Sequence, residues 1–538
     1  MIAQRPAVVP LGQQIARALA ALWVSRVVAV ALNLLLVPLL FRRLAPDELG
    51  VWLLMGQAGG LVVLLDFGVT NVLTRRIAIA SGTPDGAMPP AADLVASAQP
   101  LYRAMALLVF AGMLLAGWWL IGGLGLDEAA TLRTRLGWAL LSAANAYALF
   151  RGLWAAAATG TGHVAAVSML GTGVGVGVMA LQGGALLLGG GVGTLAALAL
   201  GGSLLQGAAL LRWLRYREPR LMASPGRSSR AALRGLLRAS SRYWLTELGA
   251  IALLRTDQMF IAGFQQPSQI PAYFAAYSIV YNMALVSMAI AEAASVFVSR
   301  LWREHEPGAV HVLILRSLRI GLALMLCGAG VMAVIGDSVI AVWIGPGHFV
   351  GRPVLLAFCA MLTLFVQQSL LLGFSRATEN EIYAPCFLAA GALNLGITWL
   401  LIGPLGLLGV ALGTLIAQAL TTSWFVPVSA LRRLQISGRT YAAEVLRPAL
   451  LLGACTAGAT LLAASGMTDP LGRMAAGGAA GAAAALLGGW FLVLDADMRR
   501  RIRHEATAAV QGLRRAARYG ASGRRPSTPS KIARSERP

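Results

Sequence analysis

The sequence predicts an all-α polytopic membrane protein of about 14 transmembrane helices, built as two pseudo-symmetric six-helix lobes plus two C-terminal helices. Three observations predict it. The 538 residues are 57% hydrophobic and only 12% charged, about half the charged fraction of a soluble globular chain. Fourteen apolar runs reach the ~20 residues that a bilayer requires. The basic residues also fall predominantly on one side when those runs are made to alternate. With a mean hydropathy of +0.71, the composition excludes a soluble enzyme of this size and a disordered chain.

In order, the first run, 18–40, is long enough to span and lacks a cleavage site, so it reads as an uncleaved anchor. Runs 48–70, 101–123, 137–158, 163–188 and 192–211 complete an amino-terminal lobe over 1–213. A basic connection follows over 214–242. Runs 243–264, 271–299, 317–336, 353–375, 382–403 and 405–429 form a second lobe over 243–430. The run 271–299 is long enough to tilt or to leave the bilayer. An apolar stretch at Val339–Ile344 is expected at the interface. Runs 446–466 and 474–494 add two helices within 431–495, and 496–538 forms a basic tail whose end is predicted disordered.

The net charge of +22 from 44 basic and 22 acidic residues first suggests a nucleic-acid partner. The positions of the charges argue otherwise. With a cytoplasmic amino terminus, 35 of the 44 basic residues are cytoplasmic. Six are external (Arg42, Arg43, Arg133, Arg135, Arg352 and Arg473), and three, Arg26, Arg151 and Arg255, are inside spans. Nine arginines lie between Arg212 and Arg242, and twelve basic residues between Arg499 and Arg537. Only Trp213, Tyr216 and Tyr519 are interleaved with them, too few for a stacking platform. The blocks are read as topology determinants attracted to anionic lipid heads.

No cofactor is expected. Cys327, Cys359, Cys386 and Cys455 lie in apolar runs without a CxxC, and the five histidines form no ligand pair. Gly171, Gly173, Gly175 and Gly177 alternate but fit neither a dinucleotide fingerprint nor a Walker loop, so ATP hydrolysis by this chain is disfavoured. Gly171–Gly175, Gly173–Gly177 and Gly477–Gly481 are instead read as close helix packing.

A shift of 221 residues superimposes Trp23 on Trp244, Pro46 on Pro267 and Trp52 on Tyr273. Internal repeats of this kind flank midplane sites in secondary transporters. The stretch from Leu32 to Ala78 carries an apolar helix, the Leu44–Pro46–Glu48–Gly50 turn, then Asp66–Phe67–Gly68 and Arg75–Arg76. Arg255–Thr256–Asp257–Gln258 with Ala272–Tyr273, and the run Gly406–Thr414, complete a pattern. It resembles the polysaccharide and O-antigen repeat-unit flippases of the multidrug/oligosaccharidyl-lipid/polysaccharide superfamily. The resemblance implies a two-lobed, V-shaped bundle that alternates between inward- and outward-facing states. It also implies a substrate of undecaprenyl-pyrophosphate-linked oligosaccharide.

Ionisable groups within spans cost roughly 2.5–3.5 kcal/mol on insertion scales, so they are the functional candidates. For substrate binding these are Arg26, with Asn33 on the same helix face, together with Arg151, Arg255 and Gln258; a guanidinium binds a phosphate bidentately. Arg26 reads alternatively as half of an interhelical ion pair, and Arg151 as a snorkelling residue one turn after Tyr147. For ion coupling the candidates are Asp66, Glu247, Asp257 and Glu292, as proton carriers or ligands of a sodium ion. Asp66 reads equally as a cap near a span end. Arg255 and Asp257 project about 200° apart on a helix, so Asp257 needs a partner elsewhere, Arg26 being one.

The expected function is a flippase in the bacterial inner membrane, with both termini cytoplasmic. Its partners would be the lipid-linked oligosaccharide, membrane lipids, and the polysaccharide polymerase and export machinery, with no nucleic acid. The rivals are a drug/cation exporter of the same superfamily, which would want an acidic cavity, and a membrane enzyme or assembly partner in polysaccharide synthesis. The short external loops disfavour the enzyme.

Overall fold

The computed structural model describes residues 28, 31–32, 35–61, 66–82, 90–122, 128–219, 221, 228–303, 307–378, 382–496, 498–500 and 503. Regular structure among them is entirely helical. Residues 35–43 are helical and lead into α1 (Pro46–Leu61), whose first turn carries proline, Asp47 and Glu48. All three suit a helix amino terminus, where the proline sacrifices no hydrogen bond and the acids meet the positive dipole end. Next come α2 (Val69–Gly82), α3 (Ala91–Gly122), α4 (Glu128–Gly160), α5 (Val164–Leu187) and α6 (Val192–Arg217).

The second half comprises α7 (Arg230–Leu254), α8 (Asp257–Phe264), a turn at Pro267–Gln269, α9 (Ile270–Arg303), α10 (Pro307–Ile344) and α11 (Arg352–Ala377). It continues through α12 (Ala384–Leu405), α13 (Leu407–Leu420), α14 (Thr422–Arg433), α15 (Gly438–Tyr441), α16 (Arg447–Ala464) and α17 (Pro470–Gly488). Side-chain caps mark several starts: Ser229 for α7, Ser437 for α15 and Asp469 for α17 each accept a backbone N–H from the first turn.

Ten described helices are long and apolar enough to cross a membrane. The other four expected runs are not among them. Run 18–40 is mostly outside the described residues. Run 137–158 lies within the 33-residue α4, which also carries Arg133, Arg135 and Arg151. Runs 48–70 and 243–264 are not single helices. The first breaks before α2, where Phe67 and Gly68 take left-handed backbone (φ 49° and 69°). The second breaks at Arg255–Thr256, between α7 and α8. Run 405–429 breaks as well, at Thr421. Val339–Ile344 continues α10. The basic connection 214–242 is largely helical, belonging to α6 up to Arg217 and to α7 from Arg230.

The helices pack in two sets. In the first, α4 lies against α2, α3 and α6, and α5 against α6. In the second, α10 lies against α9, α11, α16 and α17, while α12 lies against α7 and α13. Gly477 and Gly481 of α17 do pack closely, on Ile335, Val331 and Thr460. Gly173, Gly175 and Gly177 do not: a Cβ on any of them would meet nothing within 4 Å.

The sets meet at both ends. At one end α1 packs on Pro267–Gln269, α8 and α9. The core of the second set there takes in Val37, Leu40, Leu44, Leu49 and Leu53 of the first. The Phe41 ring stands edge-on to His348 at 5.2 Å. At the other end α7 makes the join among the described residues. The Arg76 guanidinium donates to Gly235 O (3.0 Å), Ser229 N donates to Ser97 Oγ (3.0 Å), and Trp244 lies 5.1 Å from Phe67. The last turns of α7 pack instead on α12, where Gly249 touches the Phe387 backbone. One helix therefore belongs to both sets.

Candidate functional site

Two chambers open beside α1. The first, about 760 Å³, is walled by α4, α5, α6 and residues Val28 and Leu32. Its polar lining is Asn145, Arg151, Ser168, Thr172, Gln182, Ser203 and Gln206. Arg151 reaches it from α4, and its Nε is buried without a hydrogen-bond partner. The open glycine face of α5, with Gly171 and Gly175 on the wall, helps to make this space. That is the physical consequence of the alternating glycines.

The second chamber, about 640 Å³, is walled by α7, α9, α11 and α12 and by Gln57 of α1. Arg255, Arg376 and Glu247 line it with Tyr277, Ser278, Tyr281, Asn282 and Ser369, among aromatic rings from Phe274, Phe365 and Phe387. Among the described residues, two guanidiniums and one carboxylate line it. The chambers approach each other across Gly59 and Gly60. A Cβ on Gly59 would lie 2.8 Å from Asn145 Nδ2, and one on Gly60 would lie 2.5 Å from Arg255 Nη1. Only glycine lets α1 come this close to a polar side chain on each side.

Asp257 lies behind the second chamber, at the first residue of α8 and 5% exposed. Tyr273 Oη donates to its Oδ2 (2.6 Å), and Thr414 Oγ1 approaches its Oδ1 (3.3 Å). Thr414 also lies 3.1 Å from Asn394 Oδ1, as does Thr398 Oγ1. The Asn394 amide nitrogen donates to Ala252 O and Leu253 O, each at 3.1 Å. These are carbonyls that the α7–α8 break leaves without helical partners. Asn394, Thr398 and Thr414 are fully buried. The cluster is thus a carboxylate surrounded by neutral oxygen donors, a chemistry that suits a hard cation or a proton. Among the described residues, hydroxyls partner Asp257; Arg26, one possible partner from the sequence, lies outside them.

The remaining candidates are dispersed. Asp66 accepts from Thr70 N (3.2 Å) and Thr70 Oγ1 (2.7 Å), and Thr70 in turn bonds Tyr102 Oη (2.7 Å), so the carboxylate fixes the first turn of α2. Gln258 is buried with Oε1 unpartnered, and it is not on either chamber wall. Arg26 and Asn33 lie outside the described residues, and so does the side chain of Glu292. The structure brings together Arg255 and Glu247 at one chamber, and it places Arg151 at the other.

Sequence reasoning missed Arg376, Tyr273, Asn394, Thr398 and Thr414. Arg376 was counted with the cytoplasmic charges because it ends a span. The other four are neutral and cost little in a span. One signal was available: Asn394 and Thr398, spaced four apart on one helix face, lie at the depth of Thr414 in the adjoining helix.

No family model matches the sequence, and no curated protein does. Solved structures do match. A multidrug resistance MATE family transporter of the MOP superfamily, in its inward-facing conformation, aligns with TM-score 0.59 and 16% identity over 76% of this chain and 96% of that one. The outward-facing conformation of such a transporter aligns with TM-score 0.56 and 17% identity over 78% and 95%. A MOP superfamily transporter from Pyrococcus furiosus aligns with TM-score 0.57 and 16% identity over 79% and 96%. The chain has the MOP-superfamily transporter fold. In this fold the two helix sets lie on either side of α1, with a chamber beside it in each.

Proposed function

We propose that the chain is a flippase that moves undecaprenyl-pyrophosphate-linked oligosaccharide across the inner membrane by alternating access. One observation carries this above the exporter reading: among the described residues, the wall of the second chamber presents two arginines, Arg255 and Arg376, where a drug/cation exporter would want an acidic cavity. A cationic drug would meet repulsion there, whereas a pyrophosphate would find bidentate donors. In the Pyrococcus furiosus transporter, reversed pocket polarity is taken to suggest a different function, and the same reasoning supports a change of substrate sign here. The glycan would extend past Gly59–Gly60 into the amide- and hydroxyl-lined first chamber, with Arg151 on its wall, while the isoprenoid tail remains in lipid.

Asp257 is the coupling carboxylate in this reading. Neutralising it with a proton or a sodium ion would loosen its bond with Tyr273, and α9 carries Tyr273 into the seam with α1. The basic residues favour cytoplasmic termini, which makes the α8–α9 end periplasmic and closed, and the chambers loaded from the cytoplasm. The test is deletion of the gene in a host without a redundant flippase. Loss of surface polysaccharide with cytoplasmic build-up of the lipid-linked repeat unit is expected, and unchanged surface polysaccharide would refute the proposal.

A further inference from the structure

A third recess, of about 840 Å³, opens on the outer wall of the first helix set, between the start of α5 and the end of α6. Its floor is apolar: Ala166, Met169 and Leu170 from α5 and Ala209 from α6. Its mouth is formed by Arg212 and Arg215, three residues apart and hence on one helix face, flanked by Trp213 and Tyr216. Met169 is 62% exposed and Tyr216 81% exposed, so the recess faces away from both chambers. Since α5 and α6 both qualify as membrane spans, hydrocarbon is the medium against its floor, and the mouth lies where the spans end.

The mouth is built rather than incidental. His163 Nε2 lies 2.9 Å from Glu218 Oε1, so the acid that ends α6 is engaged by a partner other than Arg212 or Arg215. The His163 ring stands edge-on to Trp213 at 4.8 Å and fixes the indole. Arg212 and Arg215 have no ion pair among the described residues. An apolar channel ending in two uncompensated guanidiniums and an aromatic pair at the membrane edge is complementary to a lipid with an anionic head.

We propose that this recess holds one anionic phospholipid of the adjoining leaflet, its acyl chain along Met169 and Ala209 and its phosphate between Arg212 and Arg215. The site is separate from the transport pathway, and the proposal does not depend on what the protein carries. It is tested on the full chain by native mass spectrometry, with dioleoylphosphatidylglycerol and dioleoylphosphatidylcholine as probes, which share chains and differ in head charge. The wild type should retain the phosphatidylglycerol selectively. The Arg212→Gln/Arg215→Gln variant, altered only at exposed positions, should retain it roughly thirty-fold less, at about 1 kcal/mol per arginine. Ala209→Trp, which fills the channel and keeps both arginines, should also lose it. Equal retention of the two lipids by the wild type would overturn the proposal. So would full retention by the double arginine variant, or loss in that variant alone with Ala209→Trp unaffected, which would mean a charged surface without a groove.

Discussion

Asp257 is the residue on which the account turns, because a carboxylate 5% exposed inside a membrane fold is tolerated only with its partners in place. Replacing it with asparagine keeps the volume and an acceptor for Tyr273. Asp257→Asn should therefore accumulate normally yet lose ion-gradient-driven transport in proteoliposomes; normal gradient-driven transport would remove it from the coupling role. Tyr273→Phe removes one hydroxyl from the buried carboxylate and should lower stability by about 1–3 kcal/mol, read as a drop in melting temperature in detergent. Asn394→Leu should cost more, since it removes the acceptor for Thr398 and Thr414 and the side-chain donor to Leu253 O, while Ala252 O keeps Thr256 Oγ1. None of these partners is charged, so a search for ionisable groups could find Asp257 but not the residues that hold it.

Elements were legible where the chain is uniformly apolar and illegible where it bends. Hydropathy merged α7 with α8, and α13 with α14, because a 20-residue average passes over a break of one or two residues. The break after Leu254 nevertheless carries a local mark, Thr256–Asp257, a polar pair of the kind that opens a helix. The alternating glycines show the same limit. Spacing alone could not separate Gly477 and Gly481, which pack, from Gly173, Gly175 and Gly177, which border open space. Contact decides the outcome of substitution: Gly249→Ala drives a methyl into the Phe387 backbone and should destabilise the α7–α12 contact by about 1–3 kcal/mol. Gly478→Ala, with nothing within 4 Å, should be tolerated; expression and thermal stability of the two variants check this. Asp495 ties the end of α17 to α10 through Arg316 Nε (2.8 Å) and Arg319. Partial burial raises its pKa, but the hydrogen bonds and charges of Arg319 and Arg316 outweigh this and hold it below the ordinary value. A depressed carboxylate contributes stability above its unfolded pKa, about 3.9, and loses it as pH falls through the folded value. The thermal-stability gap between wild type and Asp495→Asn should thus be constant near neutrality and close only below about pH 4.

At the scale of the whole molecule, two helix sets share α7 at one end and a hydrophobic seam at the other. Alternating access requires that seam to part. Cysteines at Phe41 and His348, whose rings are 5.2 Å apart, should be bridged by a bifunctional methanethiosulfonate, and the bridged protein should be inactive until reduced. The central claim is that this molecule carries an anionic lipid-linked glycan on the arginines of its second chamber. The most direct measurement is translocation of undecaprenyl-pyrophosphate-linked oligosaccharide by purified protein in proteoliposomes under an imposed ion gradient, with wild type beside Arg255→Gln. The account predicts transport by the wild type and its loss in the folded variant. Equal transport by both would contradict the assignment of the chamber, and a folded wild type that leaves the lipid-linked glycan unmoved would contradict the function.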